Sequence, residues 1–360
     1  MKNIAFLVSS AATGGGIQKS LSIIAKALNN EKFSVTIISL FQFEETKYDF
    51  GPETIFLKGS LKGNVDLKKV FLKTYFECKR LLSSANFTTL VVEGVGLVPF
   101  IPKKFLKDKS IKVIVRDHTG LSNYSRFGLS WLGLKHTIRY SDKFVVLTEE
   151  NEREYAEIFK DKKSKIKTIP NALDPNIIES SYNSDSKKVL FVGRLSYEKG
   201  ADLLVESFGR VLNLISDDDW RLDIFGSGPE MVNIKNQISK QNLKTYINLK
   251  GYKENIYSIY NEYAFLVVPS RFESFGLIII EALKVGIPVI AFDCNYGPRS
   301  ILRDNENGLL VQKNNISQFS NAISKLILNK DLRIYLSNNT NNNLEKYNYR
   351  NVISEWEILL

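Results

Sequence analysis

Short apolar runs recur along the chain, separated by longer stretches in which apolar positions return every three or four residues. The runs fall at residues 4–8, 34–40, 89–92, 112–115, 143–147 and 166–169. They resume at 188–192, 221–225, 246–249, 264–268 and 288–291. Unbroken rather than alternating apolar character marks strands covered on both faces, as in a parallel sheet. In the first intervening stretch, Ile17, Leu21, Ile24, Ala25 and Leu28 share one helical face. Strand and helix alternate almost throughout, which predicts an α/β fold of Rossmann-like units with parallel sheets. Residues 313–345 read as helices around an Asn-rich turn at 338–343, and no strand follows the final helix.

One polar stretch, 171–186, interrupts the alternation. It holds Pro175 and a run rich in Ser, Asn and Asp, and a fresh buried strand follows it. We read it as a linker between two domains, 1–170 and 187–345, which suits a chain of 360 residues. A composition of 44% hydrophobic and 24% charged residues excludes disorder as a whole-chain description. The two cysteines, Cys78 and Cys294, are too few for a disulfide scaffold or a Cys-cluster metal site. With two histidines, His118 and His136, a His-rich metal centre is also excluded. The first apolar run is too short for a signal peptide, and no run is long enough for a membrane span.

Charge separates the halves. Residues 1–170 carry 28 Lys and Arg against 17 Asp and Glu, a net +11, whereas residues 171–360 carry 21 against 22. A basic half suits nucleic acid, an anionic membrane surface, an anionic substrate or simply a solvated lysine-rich face, and composition alone does not choose.

Candidate chemistry lies where strands end. Gly14, Gly15 and Gly16 follow the first strand and precede a helix, so free N–H groups there can meet phosphate. The spacing is neither a dinucleotide fingerprint nor a P-loop. The segment 193–200 sets Arg194 and Lys199 five residues apart in a glycine-bounded turn, cations suited to a diphosphate. The turn 225–230 adds Gly226 and Gly228. The segment 269–283 places Glu273 just before a helix and Glu281 two turns inside it, with Phe275, Gly276 and Leu277 at the helix start. An unpaired carboxylate in so apolar a helix is costly, so Glu281 requires a partner, either sugar hydroxyls or a structural Arg. His118 follows a strand of the first domain, the end at which α/β sheets take ligands. Cys294 has no nearby His or Cys in sequence and reads poorly as a nucleophile.

In order and spacing these motifs resemble the retaining nucleotide-sugar glycosyltransferases of GT-B fold, glycosyltransferase family 4 (group 1). The resemblance is carried by Gly14-Gly15-Gly16, His118, residues 145–151 and 169–174, Gly193-Arg194-Leu195, Glu198-Lys199-Gly200, residues 225–230, the Glu273-to-Glu281 segment, residues 286–290, Gly297-Pro298 and residues 307–310. It is strong over 165–312 and weaker over 1–150. It implies two Rossmann-like domains facing a cleft, with the final helix, 348–360, crossing back to the first. Arg194 and Lys199 would hold the diphosphate, Glu281 the ribose hydroxyls and Glu273 the donor sugar, with the amides of Phe275, Gly276 and Leu277 nearby. Gly15 and Gly16 would close over the phosphates, and His118 would touch the transferred sugar. Lys250, Tyr252, Gly226 and Gly228 would border the base. The catalytic set implied is Glu273, His118, Arg194 and Lys199.

The resemblance further implies hexosyl transfer with retention, no resident cofactor and no required metal, the cations and a helix dipole serving the departing diphosphate. UDP-sugars are the commoner donors among relatives that build bacterial capsule, lipopolysaccharide O-antigen or other surface polysaccharide. The acceptor implied is a saccharide, free or polyprenyl-linked. Basic stretches mixed with aromatics at 68–76 and 100–107 fit a cytoplasmic protein peripheral on the inner face of the membrane. Nucleic acid has no part in this reading. One departure is Arg116-Asp117 before the His, where many relatives carry a small residue, which bears on acceptor recognition. A sugar-nucleotide epimerase of the same fold and a catalytically silent subunit are the alternatives.

Overall fold

A computed structural model describes residues 1–12, 14–41, 48–51, 53–57, 67–108, 110–125 and 127–360, the backbone alone for 67–70. Thr13 of the glycine turn and the side chains of Lys68 and Lys69 therefore lie outside the described residues. The first sheet contains β1 (Lys2–Ser10), β2 (Phe33–Phe41), β3 (Glu53–Phe56), β4 (Thr89–Glu93), β5 (Lys112–Arg116), β6 (Lys143–Val146) and β7 (Ile166–Thr168). All pairings are parallel, in the order β3-β2-β1-β4-β5-β6-β7. Helices α1 (Gly16–Leu28), α2 (Leu67–Ser84), α3 (Lys103–Lys107), α4 (Leu129–Tyr140) and α5 (Glu149–Phe159) connect the strands. The apolar run in β1 is continuous because it feeds two cores. Ile4, Phe6 and Val8 enter one, and Ala5 and Leu7 the other.

The second sheet holds β8 (Lys188–Val192), β9 (Arg221–Phe225), β10 (Ile247–Gly251), β11 (Phe265–Val268), β12 (Val289–Asp293) and β13 (Gly308–Gln312). Its order, β10-β9-β8-β11-β12-β13, repeats the plan of the first. Around it lie α6 (Ala201–Leu212), α7 (Met231–Lys240), α8 (Leu277–Val285), α9 (Gly297–Ile301), α10 (Ile316–Leu328) and α11 (Lys330–Asn338). Each sheet therefore has a switch point beside its central strand, the place where such sheets accept ligands.

Two compact units result: Met1–Ala172 with Tyr349–Leu360, and Leu173–Asn348. The last helix, α12 (Tyr349–Leu359), belongs to the first unit. Its Trp356 is fully buried in the core containing Phe6, and Lys2 and Lys112 donate to the carbonyls of Leu360 (2.9 Å) and Leu359 (2.6 Å). The stretch 171–186 does not behave as a free linker. Asn171 accepts a hydrogen bond from Ser20 in the first unit, while Tyr182 and Ser186 donate to the carbonyls of Ala264 and Glu262 in the second. Two strands escaped the sequence pattern. β3 is a half-buried edge, and β13 opens on a glycine after a polar turn.

Candidate active site

The mouth of the second sheet is built by turns packed backbone on backbone. Gly193 and Leu195 donate to the carbonyls of Phe225 and Ser227, Glu230 donates to that of Leu195, and Gly226 to that of Gly251. Gly226 has φ +142°, and a Cβ there would lie 1.8 Å from the Gly193 carbonyl oxygen, so only glycine fits. A Cβ on Gly228 would lie 2.3 Å from the Leu195 carbonyl oxygen. This lacing fixes the path of the 193–200 turn. Arg194 is exposed on it, and Lys199 is partly buried at its end.

Lys199 Nζ lies 2.6 Å from Glu273 Oε2, their side chains 28% and 10% exposed. The pair joins the first and fourth connections of this unit. Arg271 holds them in register: its guanidinium forks onto Asp202 (2.8 and 2.6 Å), donates to the Tyr197 carbonyl (2.7 Å) and stacks on the Tyr197 ring (4.1 Å). The Glu198 carboxyl is held below its usual value by a hydrogen bond from Ser196, with Arg194 and Lys199 adding attraction. After Glu273 the chain turns through Gly276, φ +94°, into α8, whose start carries no side-chain cap. Its first amides and its dipole thus present positive potential beside the Lys199–Glu273 pair. Phe275 is buried edge-on against Tyr347, and Leu277 opens the helix.

Glu281 is buried at 2% exposure and lies against the Tyr260 phenol. Burial first, then the Glu281 charge, pushes the Tyr260 pKa well up. The buried Glu281 carboxyl thus has a tyrosine among its neighbours. Lys250 extends onto Asp223 (3.7 Å), Tyr252 is exposed, and the Gly226 amide donates to the carbonyl of Gly251, which lies between them. Cys294 donates to the Ser270 carbonyl (3.0 Å). Burial pushes its thiol up to about 12, which fits its reading as a non-nucleophile.

In the first unit, Gly15 precedes α1 in extended backbone and Gly16 begins it, again without a side-chain cap. His118, just beyond β5, donates or accepts through Nε2 at Glu93 Oε2. Arg116 reaches the same oxygen at 3.6 Å and donates to Asn171 (2.7 Å) and Ser20 (3.1 Å). Asp117 is committed within the unit, accepting from Tyr155 (2.7 Å), Tyr124 and the Gly120 amide (2.9 Å). The departure Arg116-Asp117 therefore serves the frame that carries His118.

Sequence reading missed Glu93, Asp202 and Arg271. Glu93 ends an apolar strand, and an acid at such a position was the available signal. Its partners are 23 and 25 residues away in sequence and meet only through strand register, which sets Glu93 beside Arg116.

Two doubly wound parallel-sheet units with a cationic, glycine-laced mouth define the GT-B class of fold. A crystal structure of Staphylococcus aureus TarM, in complex with Fondaparinux, alpha-GlcNAc-glycerol and UDP, superposes with a TM-score of 0.84 at 17% identity, over 100% of this chain and 99% of that one. Residues 175–343 match the family model described as Glycosyl transferases group 1. An uncharacterized glycosyltransferase of Haemophilus influenzae is 27% identical over the full length of both chains. A poly(glycerol-phosphate) alpha-glucosyltransferase of Bacillus subtilis is 33% identical over 54% of this chain, which spans 28% of that protein.

Proposed function

We propose that the protein is a retaining, metal-independent glycosyltransferase that moves a sugar, from a UDP-sugar, to a saccharide acceptor in cell-envelope polysaccharide synthesis. The observation that carries the reading is the Lys199–Glu273 pair beside the uncapped start of α8, with Arg194 exposed on the same turn. A diphosphate carries its charge where Lys199, Arg194 and the helix amides stand, and these groups stabilise it as it leaves. Glu281 accepts from ribose hydroxyls, and Glu273 orients the donor sugar while holding Lys199 in place. In the first unit the proposed ligand-binding residues are His118, Gly15 and Gly16. The leaving phosphate assists deprotonation of the acceptor, so no carboxylate nucleophile is required. The UDP complex of TarM, a protein of the same fold, supports the donor class.

A polyprenyl-linked acceptor at the inner membrane face suits the basic first unit. Helix α2 exposes Leu72 and Phe76 together with Lys73, Lys79 and Arg80, and α3 exposes Lys103, Lys104 and Lys107. Among the described residues no helix is long and apolar enough to cross a membrane.

Calorimetric titration with UDP, GDP and ADP in the presence of EDTA tests the donor site. Micromolar binding of UDP, about −8 kcal/mol, weakened by Lys199→Ala and by Glu281→Ala, is the expected result. A folded protein that binds none of the three overturns the reading.

A further inference from the structure

We infer that Glu93 is the positioning residue for His118: it fixes the ring with its proton on Nε2 and so leaves Nδ1 as the hydrogen-bond acceptor available to a ligand. The inference deepens the donor-site reading above and rests on it for the identity of that ligand.

The geometry is that of a buried carboxylate dedicated to one imidazole. Glu93 and Arg116 are register partners at the ends of the neighbouring strands β4 and β5, and His118 stands two residues beyond Arg116. The Glu93 and Arg116 side chains are wholly buried, and the His118 side chain is 5% exposed. Among the described residues, Glu93 Oε2 makes its hydrogen bond with His118, and Oε1 makes none. A carboxylate buried alone would take up a proton. Arg116 prevents this here: burial pushes the Glu93 carboxyl up, but Arg116 and then His118 outweigh it, and the net shift is downward. An ionised carboxylate only accepts, so the shared proton sits on His118 Nε2. In a neutral ring the other nitrogen is then an acceptor, matched to a hydroxyl rather than to a phosphate oxygen.

Two neighbouring residues, Asp117 and Arg116, hold the arrangement. Asp117, adjacent to the ring, is fastened by Tyr155 and the Gly120 amide, and its own N–H donates to the Val145 carbonyl (2.8 Å). Arg116 also donates to Ser20 of α1 and to Asn171, so the helix that begins at Gly16 and the ring of His118 are tied to one buried cation. The same logic governs histidines oriented by a carboxylate behind them, where the outer partner sets tautomer and direction.

The chain has two histidines, which makes the test direct. Full-length protein labelled with 15N-histidine is examined by long-range proton–nitrogen correlation at pH 7.5, with His136→Gln assigning the second ring. The expected wild-type result is a single Nε2–H tautomer for His118. Glu93→Leu, which removes the acceptor, is expected to release the ring from the single Nε2–H form. A wild-type ring protonated on Nδ1 overturns the inference, and this measurement stands even where Glu93→Leu fails to fold. An unchanged tautomer in a folded Glu93→Leu protein overturns it as well. A protein that binds no nucleotide yet shows the Nε2–H ring, lost in Glu93→Leu, upholds the Glu93–His118 pairing and sinks the donor-site reading instead.

Discussion

Each sheet carries an acid and a cation at its ligand-facing end, and the two pairs are built to opposite specifications. In the first unit, Arg116 and Glu93 have no exposed side-chain surface. In the second, Lys199 and Glu273 keep 28% and 10%. A dry pair cannot exchange its partner for a ligand without leaving a charge stranded, so it orients its neighbours. A half-wet pair can share its cation with an incoming anion at modest cost, because water reaches it. Burial thus separates the proposed positioning pair from the proposed binding pair when the residue types are nearly the same.

The comparison breaks first at Arg116. Arg116→Met leaves Glu93 buried without its cation, and chemical denaturation should show a loss of about 3–5 kcal/mol. A loss no greater than that of Lys199→Ala would erase the distinction. Next comes the frame of the half-wet pair. Gly226→Ala forces a side chain onto φ +142° and into the Gly193 carbonyl, and a loss of about 1–3 kcal/mol is expected in the same assay, with weaker UDP binding because the 193–200 turn must move.

Acid sharpens the contrast further. Because the folded state lowers the Glu93 pKa, its contribution is complete above the ordinary glutamate value of about 4.3 and lost as pH falls below it toward the folded value. The slope of stability against pH in that interval should be shallower in Glu93→Gln than in wild type. The smallest stability effect belongs to Lys199→Ala, below about 1 kcal/mol for so accessible a pair. UDP affinity should nonetheless fall roughly 10–100-fold, the value of a charge-assisted contact.

The fold class was legible because both sheets are buried on both faces, and the apolar runs of β1, β8 and β11 report that directly. Where burial is partial the signal fails: β3, Glu-Thr-Ile-Phe on an edge, has no apolar run to read. The residues of the candidate site could be named from strand ends and glycines, since those are local features. Their mutual arrangement could not. Arg271 meets Asp202 across 69 residues and His118 meets Glu93 across 25, and only strand order and register bring them together. Tyr260 beside Glu281 was hidden for the same reason, since the sequence showed the need for a partner but not its identity.

The polypeptide leaves the first unit after Ala172 and re-enters it at Tyr349, and between those points the Leu173 N–H bonds the Tyr347 carbonyl at 2.8 Å. The second unit is therefore an insertion whose ends meet, completed as one continuous stretch during synthesis. The first unit must wait for Trp356, which is made after the whole of the second. Order of translation and order of completion run in opposite senses, against the usual N-terminal-first rule for successive domains. A frameshift within α12 should spoil the N-terminal sheet and spare the C-terminal one.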